Sequence, residues 1–300
     1  MSHPPEKVGV FLQGDASSLP PALRGLINNA QFSDVSFVVG KQRQVVHAHR
    51  CILMCRCKVF HRMFSGQLKA AQTPQEMQVP FVLADVQPEV FLAVIEFIYT
   101  SSVTLDSVIA LEVLTAAVEY GLTDLRKLCV DFISQTLTVD MACEALQAAV
   151  TYGQTDLRQR CLTFIERHTA EIIKTQSFRE LSDLGIVSIL QSDRLSIDEV
   201  PLIQAVREWA YVSSVVLDVQ VSVVAQDAVR ELRLILLSPD ELTTLERENG
   251  KDDLIPEIQI AQAWKFHALK KVSDSHPHHF QRRKGTLGRE HHRYLYSPSK

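Results

Sequence analysis

The sequence lacks the short motifs that mark the common classes of enzyme. Its 11 glycines form neither the G-x-G-x-x-G turn of dinucleotide-binding proteins nor a phosphate-binding P-loop. It has no G-x-S-x-G nucleophile elbow and no H-E-x-x-H zinc-binding helix. We therefore expect a protein that is not an enzyme, has no small-molecule substrate and binds no cofactor.

Long apolar runs are missing as well. No stretch reaches the roughly 18 residues that a membrane-spanning helix needs, and Glu96 interrupts the longest candidate. The first residues, MSHPPEKV, lack the basic-then-apolar layout of a signal peptide. We therefore expect an intracellular protein, cytoplasmic or nuclear, that does not associate with membranes.

Cysteine is scarce, and its spacing does not match a structural zinc site. The six cysteines include no C-x2-C pair, and the 11 histidines include no H-x3-H pair. The densest group of candidate ligands also crosses a predicted strand-to-helix junction, which directs its side chains to different sides. We predict no metal site and, in a reducing compartment, free thiols. The candidate ligands in this group are His47, His49, Cys51, Cys55, Cys57 and His61.

The charge of the chain is unevenly distributed. Its 300 residues, 46% hydrophobic and 22% charged, are typical of a globular protein with about two domains. The net charge is −4, yet the segment from Lys265 to Lys300 has nine Lys or Arg and two Asp or Glu, a local charge of +7. We predict a basic, histidine-rich, disordered tail at residues 271–300. The alternative is that this tail binds nucleic acid or acidic lipid.

The hydrophobic pattern changes its period within residues 32–64. Residues 35–39 are rich in β-branched and aromatic side chains, residues 40–41 give a turn signal, and residues 44–46 can return as a second strand. A hairpin is therefore predicted. Apolar residues then recur at helical spacing and predict two short helices. Further on, Pro88 begins a helix that is apolar on most sides, which predicts that this helix is buried.

These residues resemble the BTB/POZ domain. The resemblance rests on Phe32-Ser33-Asp34, Ala48-His49-Arg50, Leu53, Phe60, Met63-Phe64 and Phe97-Ile98-Tyr99-Thr100. It implies an α+β domain, a small sheet flanked by helices, over residues 15–135. It also marks Asp34 and His49 as hallmark residues. Either they form a buried hydrogen-bonded pair that shapes the fold, or they bind partner peptides directly.

A helix is predicted ahead of the hairpin, at residues 18–29. It resembles the dimerisation helix of the BTB/POZ family, which implies a homodimer; the alternative is that it covers its own subunit. In long BTB/POZ dimers a strand is exchanged between subunits, and residues 1–14 contain a candidate, with an unordered end as the alternative. The candidate dimer-interface residues are Leu19, Leu23, Leu26, Ile27 and Asp34.

An internal repeat follows. Residues 112–133 and 144–165 share 14 of 22 positions, and each copy predicts a helix, a Tyr-Gly turn, a Thr-Asp cap and a second helix. We interpret the first copy as the closing hairpin of the BTB/POZ domain and the second as the start of an all-helical domain. Residues 136–270 resemble the BACK domain through Ala205-Val206-Arg207-Glu208-Trp209 and the run from Val229 to Pro239, with Trp209 in the core and a closing helix at residues 256–269.

The resemblance implies a function in protein binding. A BTB/POZ–BACK homodimer of this kind presents one face to cullin-3 and brings a substrate protein, here unknown, to a ubiquitin ligase. The matching cullin-binding positions are Leu68, Lys69 and Tyr99, and for Tyr99 the alternative is a packing residue whose hydroxyl reaches water. However, Ala70 stands where many cullin-binding members have a glutamate. The lost contact would cost about 1–3 kcal/mol. Two alternatives stay open: a self-associating scaffold that does not bind cullin, and a nuclear regulator whose basic tail reaches DNA.

Overall fold

The computed structural model describes residues 15–70, 73, 79–270 and 277–295. The candidate exchanged strand within residues 1–14 therefore lies outside the described residues. The chain divides between Phe132 and Ile133 into two compact units. In the described part of the chain, no helix is both long enough and apolar enough to cross a bilayer.

The first unit is built on a three-stranded sheet. Its strands are β1 (Val35–Val39), β2 (Gln44–Ala48) and β3 (Phe81–Leu83), in the order β2-β1-β3. Strands β1 and β2 pair antiparallel, as the predicted hairpin requires, and β3 pairs parallel to β1. Gly40 closes the hairpin at φ +71°, and a Cβ there would lie 3.1 Å from the ring of Pro88, so the turn favours glycine.

Helices surround this sheet. Helix α4 (Pro88–Thr100) begins at its predicted residue, and nine of its 13 residues are buried. Helix α1 (Leu19–Arg24) is shorter than the predicted helix at 18–29, because after Arg24 the backbone continues in three-residue turns up to Asn29. Gly25 stands at this point, and glycine disfavours helix propagation. The helices are α1 (Leu19–Arg24), α2 (Arg50–Arg56), α3 (Lys58–Ala70), α4 (Pro88–Thr100), α5 (Ala110–Glu119) and α6 (Thr123–Gln135).

A cluster of aromatic rings fills the core of the first unit. The ring of Phe37, at the centre of β1, lies 4.9 Å from Phe91, 5.8 Å from Phe60 and 5.7 Å from Phe81 between centroids. Phe60 also stacks on Tyr120 at 5.0 Å. Because Phe37, Phe60 and Phe91 are fully buried, this cluster joins the sheet to α3 and α4.

The second unit is helical in its described residues, as predicted for a BACK domain. Trp209 is buried on α12 (Glu199–Leu217), where its indole N–H donates to the carbonyl of Leu181 at 2.7 Å. Short 3₁₀ turns occur at Leu234–Leu236, Pro277–Phe280 and Glu290–Tyr294. The helices are α7 (Ala142–Thr151), α8 (Thr155–Arg167), α9 (Thr169–Ile172), α10 (Gln176–Arg179), α11 (Asp183–Leu190), α12 (Glu199–Leu217), α13 (Val221–Val224), α14 (Gln226–Arg230), α15 (Pro239–Asp252) and α16 (Glu257–Leu269).

The repeat has the predicted turn but not the predicted cap. Gly121 and Gly153 have φ of +67° and +62°, the left-handed conformation that suits glycine after a helix. In the second copy, however, Thr155 and Asp156 already lie inside α8. The cap position is held by Gln154, whose side chain makes no capping hydrogen bond. The prediction that Thr155 or Asp156 caps this helix was wrong, because the helix begins one residue before the predicted cap allows.

The prediction of a disordered C-terminal tail is wrong for residues 277–295. Arg283, Thr286 and His292 in this segment are buried, and the backbone N–H of Gly285 donates to Leu195 at 2.9 Å. A Cβ on Gly285 would lie 2.0 Å from the backbone nitrogen of Ile197, so the segment packs directly against the residues that precede α12 in the same unit. His291 and His292, which we expected to be solvated, take part in packing, because the carbonyl groups of Ile235 and Leu236 accept their N–H groups at 3.1 and 2.9 Å.

Candidate protein-interaction surfaces

Helix α1 presents an apolar edge. None of its residues is buried, Leu19 is 56% exposed, and Leu23, Leu26 and Ile27 after it are half-buried. Arg24 holds α1 against α4 through an ion pair with Glu96. The helix therefore covers part of its own unit and also leaves apolar surface exposed to water, and its role in a dimer stays a prediction.

Phe32 is a surface residue that the sequence did not single out for exposure. Its side chain is 81% exposed, and its backbone has φ +64°, which is uncommon for a residue with a side chain. The motif Phe32-Ser33-Asp34 gave no sign of this, since an aromatic residue before a strand is more often buried. An exposed aromatic ring is a frequent anchor in protein interfaces.

Asp34 and His49 do not form the predicted buried pair. Asp34 is exposed, and its carboxylate accepts a 2.7 Å hydrogen bond from the backbone N–H of Arg50. The Arg50 guanidinium in turn donates to the carbonyl of Asp34 at 3.2 Å. Asp34 thus satisfies the first N–H group of α2 and fixes the junction between hairpin and helix.

His49 pairs with Tyr99 instead. Tyr99 is only 4% exposed, and its hydroxyl accepts from the backbone N–H of His49 at 2.8 Å and lies 3.0 Å from Nδ1 of the same residue. Burial raises the pKa of Tyr99 to about 12, so the phenol stays neutral. Tyr99 packs inside its own unit in this position, and its contact with cullin-3 stays a prediction.

Leu68 and Lys69 lie together at the carboxyl end of α3. Leu68 is 65% exposed, and Lys69 is exposed beside it in the last turn. An apolar side chain this exposed on a helix end contributes nothing to the core of its own unit. Of the three candidate cullin-binding residues, these two are therefore the ones on the surface.

The cysteine and histidine group around residue 50 is dispersed. Cys51 and Cys55 are exposed, whereas Cys57 is buried with its thiol 3.3 Å from the carbonyl of Tyr120. Within the described ranges, no group of three or more His, Cys, Asp or Glu is arranged to hold a metal ion. Elsewhere, burial raises the pKa of Cys129, Cys143 and Cys161 to about 12, so these thiols stay protonated and unreactive at neutral pH.

Comparison with known proteins gives two domains and several relatives. The model of the BTB/POZ domain family matches residues 23–137, and that of BTB And C-terminal Kelch, BACK, matches residues 142–247. The chain is 51% identical over 290 residues to BTB/POZ domain-containing protein 19 of Homo sapiens, covering 97% of this chain and 98% of that protein. The Bos taurus protein of the same name is 51% identical over 295 residues, covering 98% and 100%. BTB/POZ domain-containing protein 3 of Homo sapiens is 30% identical over 189 residues, covering 62% and 35%.

Proposed function

The chain belongs to the BTB/POZ–BACK family and is a protein-interaction module, and we propose that it acts as a homodimeric adaptor for cullin-3. In this proposal the first unit supplies both the dimer contact and the cullin contact. The protein does no chemistry of its own and works by bringing proteins together.

The dimer contact is assigned to α1 and the turns after it. Leu19, Leu23, Leu26 and Ile27 leave apolar area in water that a second copy would cover. Removing this area from water stabilises a dimer by about 25 cal/mol for each Å² buried. Asp34, which is exposed, stays a candidate at the edge of this contact.

The cullin contact is assigned to the end of α3, and the observation that carries it is the exposure of Leu68. A helix or loop of a partner can cover this side chain, while Lys69 beside it would attract a carboxylate. The departure at Ala70 weakens this contact relative to family members that have a glutamate there. A self-associating scaffold without cullin is therefore the second candidate.

The third hypothesis, a nuclear regulator that reaches DNA through its C-terminus, loses support from the structure. Arg283 and Arg289 in the described segment 277–295 are directed at carboxylates of the second unit and are nearly inaccessible. Their charges are therefore neutralised within the protein and would not reach phosphate groups.

Light scattering on the purified protein, with and without the N-terminal domain of cullin-3, tests the proposal. We expect a dimer whose mass increases by that of the bound cullin-3 domain. Leu68→Asp should weaken the affinity for cullin-3 at least tenfold, or about 1.4 kcal/mol. Val45→Asp is the matched control, since Val45 is also exposed but lies on β2. Leu19→Asp should separate the dimer without unfolding the subunit.

Each outcome decides between the candidates. A dimer whose mass does not increase with cullin-3 at tens of micromolar would exclude the adaptor function and leave the self-associating scaffold as the remaining hypothesis. A monomeric wild-type protein would overturn the assignment of α1, and with it both the adaptor and the scaffold.

A further inference from the structure

A second apolar surface lies on the helical unit, separate in sequence from the candidate contacts of α1 and α3. It is formed by the last two turns of α12, the bend after it and α13. Val215 is 82% exposed, Val216 76% and Leu217 62%. Val219 and Val223 continue the same surface. Single exposed apolar residues are ordinary, but five within nine residues indicate a surface that is covered by another molecule.

This surface borders a groove rather than a flat face. The groove has a volume of about 660 Å³ and lies between α12, α13 and the turn that joins α10 to α11. Its floor includes Leu181 and the ring of Trp209, which are both buried and are joined by the 2.7 Å bond from the indole to the carbonyl of Leu181. Because that bond and the packing fix the floor, the groove is already formed before any partner arrives.

The rim of the groove is acidic. Glu180 and Asp183 are exposed at one side, and their carboxylates accept hydrogen bonds from neutral groups, the amide of Gln176 and the N–H of Leu184. Asp227 lies on the rim as well but is paired with Arg230 at 3.0 Å. The guanidinium that lines the groove, that of Arg179, faces Glu208 at 3.5 Å. The rim thus keeps two negative charges that a cationic partner would neutralise.

We propose that this groove binds an amphipathic helix of a partner protein, with apolar residues facing the exposed Val216 and Val223 and Lys or Arg residues facing Glu180 and Asp183. A helix is the occupant because the described part of the second unit has no strand that could pair with an extended peptide. Its cationic flank follows from the charge of the rim.

A second copy of this chain fits the groove less well. In a symmetric dimer the same surface meets itself, so Glu180 and Asp183 would approach the like charges of the other copy. The inference also goes beyond the proposed adaptor function, because it requires neither the dimer nor cullin-3. A protein that does not bind cullin-3 could therefore still bind a helix in this groove.

Selection from a displayed peptide library against the intact protein tests this proposal. The library holds helices of about 18 residues, or five turns. Apolar residues occupy four positions on one face, and the flanking positions vary among Lys, Glu, Gln and Ser. We expect the enriched peptides to carry Lys at the flanks, and synthetic copies to bind the protein in fluorescence anisotropy.

Variants on the surface then localise the binding. Val216→Asp should weaken it at least tenfold, and Glu180→Gln with Asp183→Asn should weaken it severalfold and reduce its dependence on salt. Ile258→Asp is the matched control, because Ile258 is 67% exposed on α16 and does not line the groove. Circular dichroism establishes that each variant is folded.

Several outcomes would overturn the proposal. These are a library without enrichment, enriched peptides with acidic flanks, and binding that Val216→Asp leaves unchanged or that Ile258→Asp weakens equally. A wild-type assembly whose mass falls on Val216→Asp would show that the surface joins copies of this chain, which also contradicts a heterologous partner.

Discussion

The two units bury different chemistry at their centres. In the first, the rings of Phe37, Phe60 and Phe91 meet around the sheet. In the second, the guanidinium of Arg283 is fully enclosed and pairs with the enclosed carboxylate of Glu199. The second unit also has an apolar core, with Phe178, Ile186 and Trp209 buried. The aromatic cluster is stable because apolar surface leaves water, whereas the ion pair is stable only while each buried charge keeps its partner.

Arg283 is held by more than one group. Besides Glu199 and the carbonyl of Leu190, its guanidinium donates to the carbonyls of Ser192 at 3.3 Å and Glu231 at 3.0 Å. These acceptors belong to the end of α11, the start of α12 and the segment after α14. One side chain from the C-terminal segment therefore ties three parts of the second unit together.

Arg289 repeats this arrangement at the starts of two helices. It donates to both oxygens of Asp198, at 3.1 and 2.7 Å, and to both oxygens of Glu241, at 2.6 and 2.8 Å. Burial acts to raise the pKa of Asp198, but the bonds from Arg289 and from the N–H of Leu287 outweigh it and lower that pKa. Glu241 also completes the capping box of α15 with Ser238, so the C-terminal segment reinforces a helix start.

Loss of Arg283 is expected to have the largest effect on stability. Arg283→Met would leave Glu199 buried without its cation, which lowers the free energy of unfolding by about 3–5 kcal/mol. Both tryptophans, Trp209 and Trp264, lie in the second unit, so urea unfolding followed by tryptophan fluorescence reports on this unit. The neighbouring Lys284 is exposed, and Lys284→Met serves as the control.

A second substitution sharpens this test. Adding Glu199→Met to Arg283→Met removes the unpaired charge, and we expect it to restore a large part of the lost stability. If Arg283→Met lowers the free energy of unfolding no more than Lys284→Met does, the ion pair does not stabilise the core, and the two units do not differ in the way described above.

An aromatic substitution in the first unit is expected to cost less. Phe60→Leu keeps an apolar side chain but loses the ring contacts with Phe37 and Tyr120, and we expect a loss of about 2 kcal/mol. Hydrogen exchange of the peptides that contain β1 and α3 measures this loss. Phe32→Leu changes the same residue type at an 81% exposed position and should cost less than about 0.5 kcal/mol. Equal costs at both positions would contradict the assignment of Phe60 to the core.

The features that the sequence predicted correctly are those with local signals. Three such features are the hairpin of β1 and β2, the proline at the start of α4, and the glycines after the repeat helices, Gly121 and Gly153. Each depends on residues a few positions apart, as in the β-branched and aromatic run followed by a turn that predicted the hairpin. The burial of Tyr99 follows from the same pattern that predicted a buried α4. Its candidate role as a cullin contact rests on family position and not on that pattern.

The order of the C-terminal segment has no such signal. Arg283 and Glu199 are 84 residues apart in sequence, and Arg289 and Asp198 are 91 apart. A run of basic residues next to histidines is compositionally the same whether it is solvated or paired with distant carboxylates. Asp198 and Glu199 at the start of α12 also suggest no partner, because acidic residues are common in the first turn of a helix. The exposure of Phe32 could not be predicted from the sequence either, since it depends on the left-handed backbone conformation of this residue.

The contrast between the units also predicts where mild acid acts. In the second unit, His267, His291 and His292 lie close to the carbonyls of Leu237, Ile235 and Leu236, at 2.9, 3.1 and 2.9 Å from Nε2. Burial lowers the pKa of His291 to about 4, and the neighbouring His267, His292 and Arg289 act in the same direction. In the unfolded chain a histidine takes up its proton near pH 6.5. Protonation therefore favours the unfolded chain as the pH falls from about 6.5 towards 4.

We expect the urea midpoint of the tryptophan-monitored transition to fall between about pH 7 and pH 5.5. After allowance for the partial exposure of His291, this residue contributes about 1 kcal/mol or less. His291→Gln should reduce the fall, because glutamine does not titrate. The carboxylates of Asp198 and Glu241 are not expected to contribute, since Arg289 holds their pKa values below the ordinary range and both stay ionised in this window. A midpoint that does not change with pH, or that falls equally in the variant, would show that His291 is already protonated or accessible in the folded unit. The C-terminal segment would then be less tightly packed than Arg283 and Arg289 indicate.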